Sequence, residues 1–276
     1  MTTQRMKGWA SVFVLGIGAI VIMFPLLWLL SAAFKPSVDA FNGQLIPRHP
    51  TLQNFRQILD ASASVPVLRW LGNSVLAATV SSLVVMTIDS LAAFALARLK
   101  FYGQRVIFVG LIASLTVPFI ALLIPLYVEF SDVNGLNTFY ALILPYGANA
   151  FGVFLLYQFF LGIPKELEEA AILDGASKFQ LWRKVFLPLS IPAIVTLGLL
   201  TFMNVYNDFF WPLVATTSLH MRTLTVGVAI MAIGSYSTNY SLLMALTMFS
   251  VIPMLLVFIF AQKQLAQGIA TTGLSG

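Results

Sequence analysis

The chain has 276 residues, of which 59% are hydrophobic and 9% charged, with a mean hydropathy of +0.91. Soluble domains carry roughly 25% charged residues, and fifteen Lys plus Arg with ten Asp plus Glu cannot cover the surface of a soluble protein of 30.2 kDa. An ordinary cytosolic enzyme, a disordered chain and a nucleic-acid binder are excluded on that ground, and the absence of cysteine excludes a disulfide framework, an iron–sulfur cluster and a Cys-type zinc site.

A helix needs about 20 apolar residues to cross a bilayer core. In chain order, the uncharged runs are Gly8 to Phe34, then Trp70 to Ala97 with Asp89 inside it, then Val106 to Val128. Three more follow: Tyr140 to Gly162 within the stretch Val133 to Pro164, Val185 or Pro188 to about Trp211, and Tyr240 to Gln262. In lipid only helices or closed barrels satisfy the backbone. The runs lack the period-2 alternation of a barrel strand. The sequence therefore predicts an all-α, polytopic membrane protein with six transmembrane helices.

The first run follows Arg5 and Lys7 and ends at Ser31-Ala32-Ala33, a pattern also found in secretory signals. It is longer than a signal's apolar region and Lys35 follows directly, so retention as an anchor is expected. Ten Lys and Arg fall on one side of the predicted spans: Arg5, Lys7, Arg98, Lys100, Arg105, Lys165, Lys178, Arg183, Lys184 and Lys263. The other five are Lys35, Arg48, Arg56, Arg69 and Arg222. The basic excess marks the cytoplasmic side, which puts both termini and the charged loop 163–184 inside. Segments 35–69, 129–139 and 212–239 are then outside. The expected organisation is a first helix with its extracytoplasmic segment (1–69), a core of five helices (70–262) with a loop at 163–187, and a cytoplasmic tail (263–276).

That loop carries the most specific signal. Pro164 suits a helix start, and Glu166, Glu168 and Glu169 fall early in the helix, where its dipole favours anions. Leu167, Ala170 and Ala171 share a face. Asp174-Gly175 ends the helix, with Gly able to take the left-handed position. Ser177 with Gln180 has the spacing of a capping box that opens a second helix carrying Phe179, Trp182 and Phe186. Pro188 is expected to open the fifth span. Two short helices at a sharp angle, with paired small residues on the first, predict a docking element rather than a solvated linker.

Glu169-Ala170-Ala171, three residues, Gly175 and then Leu187-Pro188 resembles the EAA loop of ABC-importer permease subunits. Phe34-Lys35-Pro36, Pro50 to Phe55, Asn73-Ser74 and Ala92 to Gly103 are similar to the carbohydrate-uptake branch, in particular to the smaller permease of the maltose transporter. Tyr102 stands where the usual pattern has Pro. Gln264 to Gly276 resembles the short tail that reaches along the ATPase dimer, with Ser275 in place of the usual Lys.

The resemblance implies a coupling helix between spans four and five, with Glu169, Ala170, Ala171, Asp174 and Gly175 as its ATPase-coupling residues. It implies a permease subunit of a binding-protein-dependent ABC importer in a bacterial inner membrane. The partners would be a homologous second permease, two ATPase subunits and an extracytoplasmic sugar-binding protein. The solute would be a sugar or sugar derivative. ATP and Mg would sit on the partner ATPase, with no cofactor in this chain.

The sequence holds no phosphate-cradling loop, no H-E-x-x-H and no Cys, so the chain is expected not to be an enzyme by itself. His49 and His220 fall in separate outside loops, and no metal site is expected. Asp89 is nine residues before Arg98, roughly 13 Å into the membrane at ~1.5 Å per residue. An ionisable group there is a functional candidate; the alternative is an interhelical hydrogen bond, to a hydroxyl such as Ser82 or Thr87. Asn204, Asn207 and Asp208 share a helical face near the outer end of span five, in the aromatic-Asn-acid-aromatic sequence the family often has there. They are candidates for the substrate pathway or, alternatively, for a structural network at the outer gate. A self-sufficient secondary transporter is the competing class; it predicts two related halves with matching broken helices and leaves the loop unexplained.

Overall fold

The computed structural model describes residues 2–60, 65–234 and 239–273, and of residues 2–11, 261 and 263–273 the backbone alone. Every regular element among the described residues is helical. Three helices are long and apolar enough to cross a membrane: α1 (Thr2–Ala33), α3 (Val67–Arg98) and α14 (Tyr240–Gly273). Three helix pairs qualify only when each bent pair is taken as one span, which brings the number to six. They are Gln104–Ser114 with Phe119–Asp132 (96°), Phe139–Tyr146 with Ala150–Leu161 (43°), and Lys178–Leu189 with Ile191–Asn207 (81°).

The chain packs as two compact units. One comprises 1–68 and 227–252, the other 69–226 and 253–276. In the first, α1 ends in a polar knot. Asn54, on α2 (Gln53–Leu59), donates through Nδ2 to the Ala33 carbonyl at 2.8 Å and the Lys35 carbonyl at 2.9 Å. This satisfies acceptors that a helix C-terminus leaves open. Lys35 is buried; its Nζ donates to Asn42 Oδ1 (3.0 Å) and the Gln44 carbonyl (2.6 Å) and lies 5.1 Å from the Trp28 ring centroid. Ser31-Ala32-Ala33 forms the last turn of α1 and is buried in the same unit.

The second unit is built on α3. Its Val85, Ala93, Phe94 and Leu96 pack with Val153, Leu156 and Phe160 of α7 (Ala150–Leu161) and with Ala193 and Leu197 of α11 (Ile191–Asn207). Apolar lipid supplies no hydrophobic force between helices, so close backbone approach at small residues does that work. A methyl on Gly198 would lie 2.5 Å from Met86 Sδ, and one on Gly152 would lie 2.8 Å from Leu197 Cδ1.

α4 (Gln104–Ser114) is followed by a break at Leu115–Pro118, a 3-10 turn at Phe119–Leu122 and α5 (Leu123–Asp132). α6 (Phe139–Ile143) leads through a 3-10 turn ending at Tyr146 to the break before α7. Uncharged composition predicted unbroken spans here, and hydropathy does not register such breaks.

The entry to span five differs from expectation as well. Pro188 lies in the short helix α10 (Leu187–Leu189), and the sharp bend falls at Ser190. Pro192, in the first turn of α11, is the proline that opens the span. The segment expected to be an outside loop after span five contains α12 (Phe210–Ala215) and an apolar helix, α13 (Leu224–Ile233). Asn73 and Ser74 explain part of this path: Asn73 Nδ2 donates to the carbonyls of His220 and Arg222, both at 2.9 Å, and Ser74 Oγ accepts from the Leu224 N–H at 2.8 Å. At the C-terminus, the proposed tail continues α14 helically to Gly273; Ser275 and Gly276 lie outside the described residues.

Candidate functional site

The charged loop folds as two short helical arms. α8 (Lys165–Leu173) begins after Pro164 and carries Glu166 and Glu168 in its first turn. Gly175 closes it at φ +82°, a conformation that costs glycine nothing and other residues strain. The Ala176 N–H reaches the Ala171 carbonyl at 2.9 Å and the Gly175 N–H the Ile172 carbonyl at 3.0 Å, the pattern of a glycine-closed helix end. Ser177 then caps α9 (Lys178–Leu181), with both halves of the capping box formed: Gln180 N–H to Ser177 Oγ at 3.3 Å and Ser177 N–H to Gln180 Oε1 at 2.8 Å. A π-helical turn, Trp182–Phe186, joins α9 to α10.

No side chain of α8 is buried. Glu169, Ala170, Leu173, Asp174 and Gly175 are exposed, Leu173 by 89%. The alanine pair divides: Ala170 faces out, and Ala171 packs on the core cluster. Leu167 lines a groove with Phe151, Phe154, Phe159 and Leu189. Of the second arm's aromatics, Trp182 and Phe186 are core residues and Phe179 is exposed.

In the sequence Arg98, at the end of α3, marks the inner side and falls within the segment Ala92 to Gly103, with no role of its own. In the structure it is a buried junction, its side chain 5% exposed. Its Nη2 donates to the carbonyls of Phe160 and Ile163, each at 2.5 Å, and its Nη1 lies 3.5 Å from Glu168 Oε2 of α8. The guanidinium carbon sits 5.0 Å from the Phe186 ring centroid.

Asp89 is fully buried. Its Oδ1 accepts from the backbone N–H of Asn149 at 3.2 Å, and its Oδ2 abuts the bare Cα of Gly152. The hydroxyls of Ser82 and Thr87 do not reach it; they donate to the carbonyls of Ala78 and Leu83 within α3. Asn149 is the N-cap of α7, its own side chain accepting from the Phe151 N–H at 3.0 Å. No side-chain spacing could have revealed a partner that is a backbone amide 60 positions away.

Asn204, Asn207 and Asp208 line one open cavity of about 620 Å³, together with Phe119, Tyr146, Asn149 and Thr201. α11 ends at Asn207, so Asp208 is not on a helical face but in extended backbone just beyond it (ψ 136°). Both of its carboxylate oxygens are engaged. The Tyr146 hydroxyl donates to Oδ2 and the Phe210 N–H to Oδ1 at 3.1 Å. Phe119 and Tyr146 stack, with centroids 5.9 Å apart. The cavity thus offers amides, a hydroxyl, a carboxylate and ring faces at the breaks of two bent spans and the end of a third.

The family of binding-protein-dependent transport system inner membrane components matches residues 89–271. The chain belongs to that family. It is 34% identical to a putative ABC transporter permease of a Caldicellulosiruptor species, over 99% of this chain and 98% of the relative. It is 32% identical to an arabinooligosaccharide transport system permease of Halalkalibacterium halodurans, over 99% of each. A crystal structure of a bacterial ABC transporter involved in alginate import superposes with a TM-score of 0.82 at 22% identity, covering 95% of this chain and 98% of that one. The chain is therefore a multi-pass inner-membrane permease of an ABC importer, a transport component rather than an enzyme. The secondary-transporter reading is not favoured.

Proposed function

We propose that this permease carries a sugar or sugar derivative and does so as one of two homologous permeases around a shared pathway. Two ATPase subunits binding ATP and Mg drive it from the cytoplasm, and an extracytoplasmic binding protein delivers the solute. The six-span count takes each bent pair as one span. Ten of the fifteen Lys and Arg then fall on the side of 163–187, which makes that side cytoplasmic and puts both termini there. The sugar reading draws on the arabinooligosaccharide relative and on the cavity's chemistry. A polyhydroxylated solute leaving water needs replacement hydrogen bonds, which the Asn204 amide, the Asn207 amide beyond its bond to the Met203 carbonyl, and the Asp208 carboxylate can supply from the cavity wall. The stacked Phe119 and Tyr146 rings suit the apolar face of a pyranose.

The observation that carries the reading is α8. A nine-residue helix with no buried side chain, closed by a left-handed glycine and held against the core at Glu168 and Ala171, is built to receive another protein. We assign Glu169, Ala170, Asp174 and Gly175 to the surface that meets the ATPase, and Ala171 to the seat of that helix on the spans. Gly175→Leu tests it. Nothing lies within 4 Å of a Cβ built at Gly175, so within this chain the cost is confined to φ, about 1 kcal/mol or somewhat more. The expected outcome is a complex whose transport and binding-protein-stimulated ATPase activity collapse together, while Gly175→Asn, which tolerates positive φ, keeps most of both. Wild-type coupling in Gly175→Leu would reject the docking surface.

A further inference from the structure

α3 and α7 run side by side in the same direction, and α3 holds α7 at both ends. Asp89 takes the N–H of Asn149 at the N-terminus of α7. Nine residues on, Arg98 takes the carbonyls of Phe160 and Ile163 at its C-terminus. The signs match the helix dipole, an acid at the amide end and a base at the carbonyl end. Asp89 and the Arg98 guanidinium are both buried, where a polar group is costly unless it is hydrogen-bonded, and each spends its bonds on the backbone of one end of α7. α7 is twelve residues, about 18 Å long at ~1.5 Å per residue. Its N-terminal end, at Asn149, lines the cavity of Asn204, Asn207 and Asp208. Its C-terminal end meets the Arg98 guanidinium, which also lies against Glu168 of α8 and over the ring of Phe186 in the second arm.

We propose that Asp89 and Arg98 make α3 and α7 a rigid lever, and that Arg98 is the positioning residue through which movement of α8 enters it and reaches the cavity. The inference rests on the reading of α8 as the ATPase-docking helix. Alongside the packing of Ala171, Glu168 is the polar contact of α8 with Arg98: push or pull on α8 shifts Glu168, the guanidinium follows, and the two carbonyls it holds carry the end of α7 with it. The N-terminus of α7 cannot lag, because Asp89 ties it to the same helix. Lys in place of Arg98 keeps the charge but presents a point ammonium without the planar fork that holds two carbonyls and a carboxylate while its face lies over a ring.

The chain has no cysteine, so one at position 204 reports the cavity without background. The complex is purified with its ATPase subunits and labelled at Asn204→Cys with a small water-soluble maleimide. Labelling is compared with and without trapping by ATP, Mg and orthovanadate, in otherwise wild-type, Arg98→Lys and Glu168→Gln backgrounds. In the wild-type background trapping should change the labelling rate about tenfold, the scale of a typical coupling between sites. In both variants the ATPase should still copurify and still trap vanadate, but the change at 204 should shrink to less than about twofold, and the double variant should be no worse than Arg98→Lys alone, since both act on one path. An undiminished change at 204 in either variant, or additive losses, overturns the lever. If Arg98→Lys fails to accumulate, Glu168→Gln decides the matter, because it leaves the two carbonyl bonds in place. If no ATPase copurifies with the wild-type chain, the docking reading itself has failed; if it copurifies and only the variants behave as wild type, the lever alone has failed.

Discussion

Gly152 has no side chain because Asp89 and Leu197 occupy the space. A methyl there would lie 2.8 and 3.0 Å from the two Leu197 Cδ atoms and would drive into Asp89 Oδ2. Overpacking of this kind costs about 1–3 kcal/mol, so Gly152→Ala should lower the thermal unfolding midpoint of the detergent-purified protein; an unchanged midpoint would mean that the approach of α7 to α3 is looser than described. Asp89→Asn keeps an acceptor for the Asn149 N–H and should retain most uptake, whereas Asp89→Leu removes the buried acceptor that fixes the start of α7, a loss of about 1–3 kcal/mol, and should reduce assembled protein on a membrane blot. Abolished uptake in Asp89→Asn at normal expression would show that the charge itself matters. These residues also mark the limit of sequence reading. Gly175, Ser177 and Gln180 act on neighbours within three to five positions, so their roles were legible. Asp89 and Arg98 act on backbone groups about 60 positions away, which have no side-chain signature; depth alone marks Asp89 in the sequence, and Arg98 reads there as a charge at a span end.

At the scale of elements, three of the six uncharged runs are single helices long enough to span, and the other three are bent pairs that span only if each pair is taken as one. The causes are local. Pro118 ends the break before Phe119, the segment Gly147–Asn149 interrupts the fourth run where Asp89 binds, and Ser190 marks the bend before Pro192. Freed backbone groups at such breaks are tolerated where they line a cavity or meet protein, and two of the three breaks adjoin the cavity at Phe119 and Asn149. α13 escaped the sequence reading because it is only ten residues long. The end of α11 supplies the prediction here. Single cysteines at 204, 207 and 208 should react with a water-soluble thiol reagent from outside when the transporter is trapped outward-facing, and more slowly at rest. Val205 is 5% exposed and should react least; Phe209, half-buried, should fall below the three polar positions. Equal labelling at all five positions, or none in either state, would remove this face from the pathway.

At the scale of the molecule, the chain has a polar cavity at the breaks of its bent helix pairs and an exposed helix in its charged loop, and its sequence lacks a phosphate-cradling loop for ATP. α1 is exposed along most of its apolar length, as expected of a helix in lipid. The proposed function joins these features by having energy arrive from other chains through α8. The composition of the complex that forms around the affinity-tagged chain in its native membrane, measured after mild detergent extraction, tests this most directly. The account predicts two ATPase chains and one second permease for each copy of this one, with the ATPases lost from a variant in which residues 165–176 are replaced by a flexible linker. A chain that purifies alone and still transports a sugar when reconstituted into liposomes without ATP would contradict it.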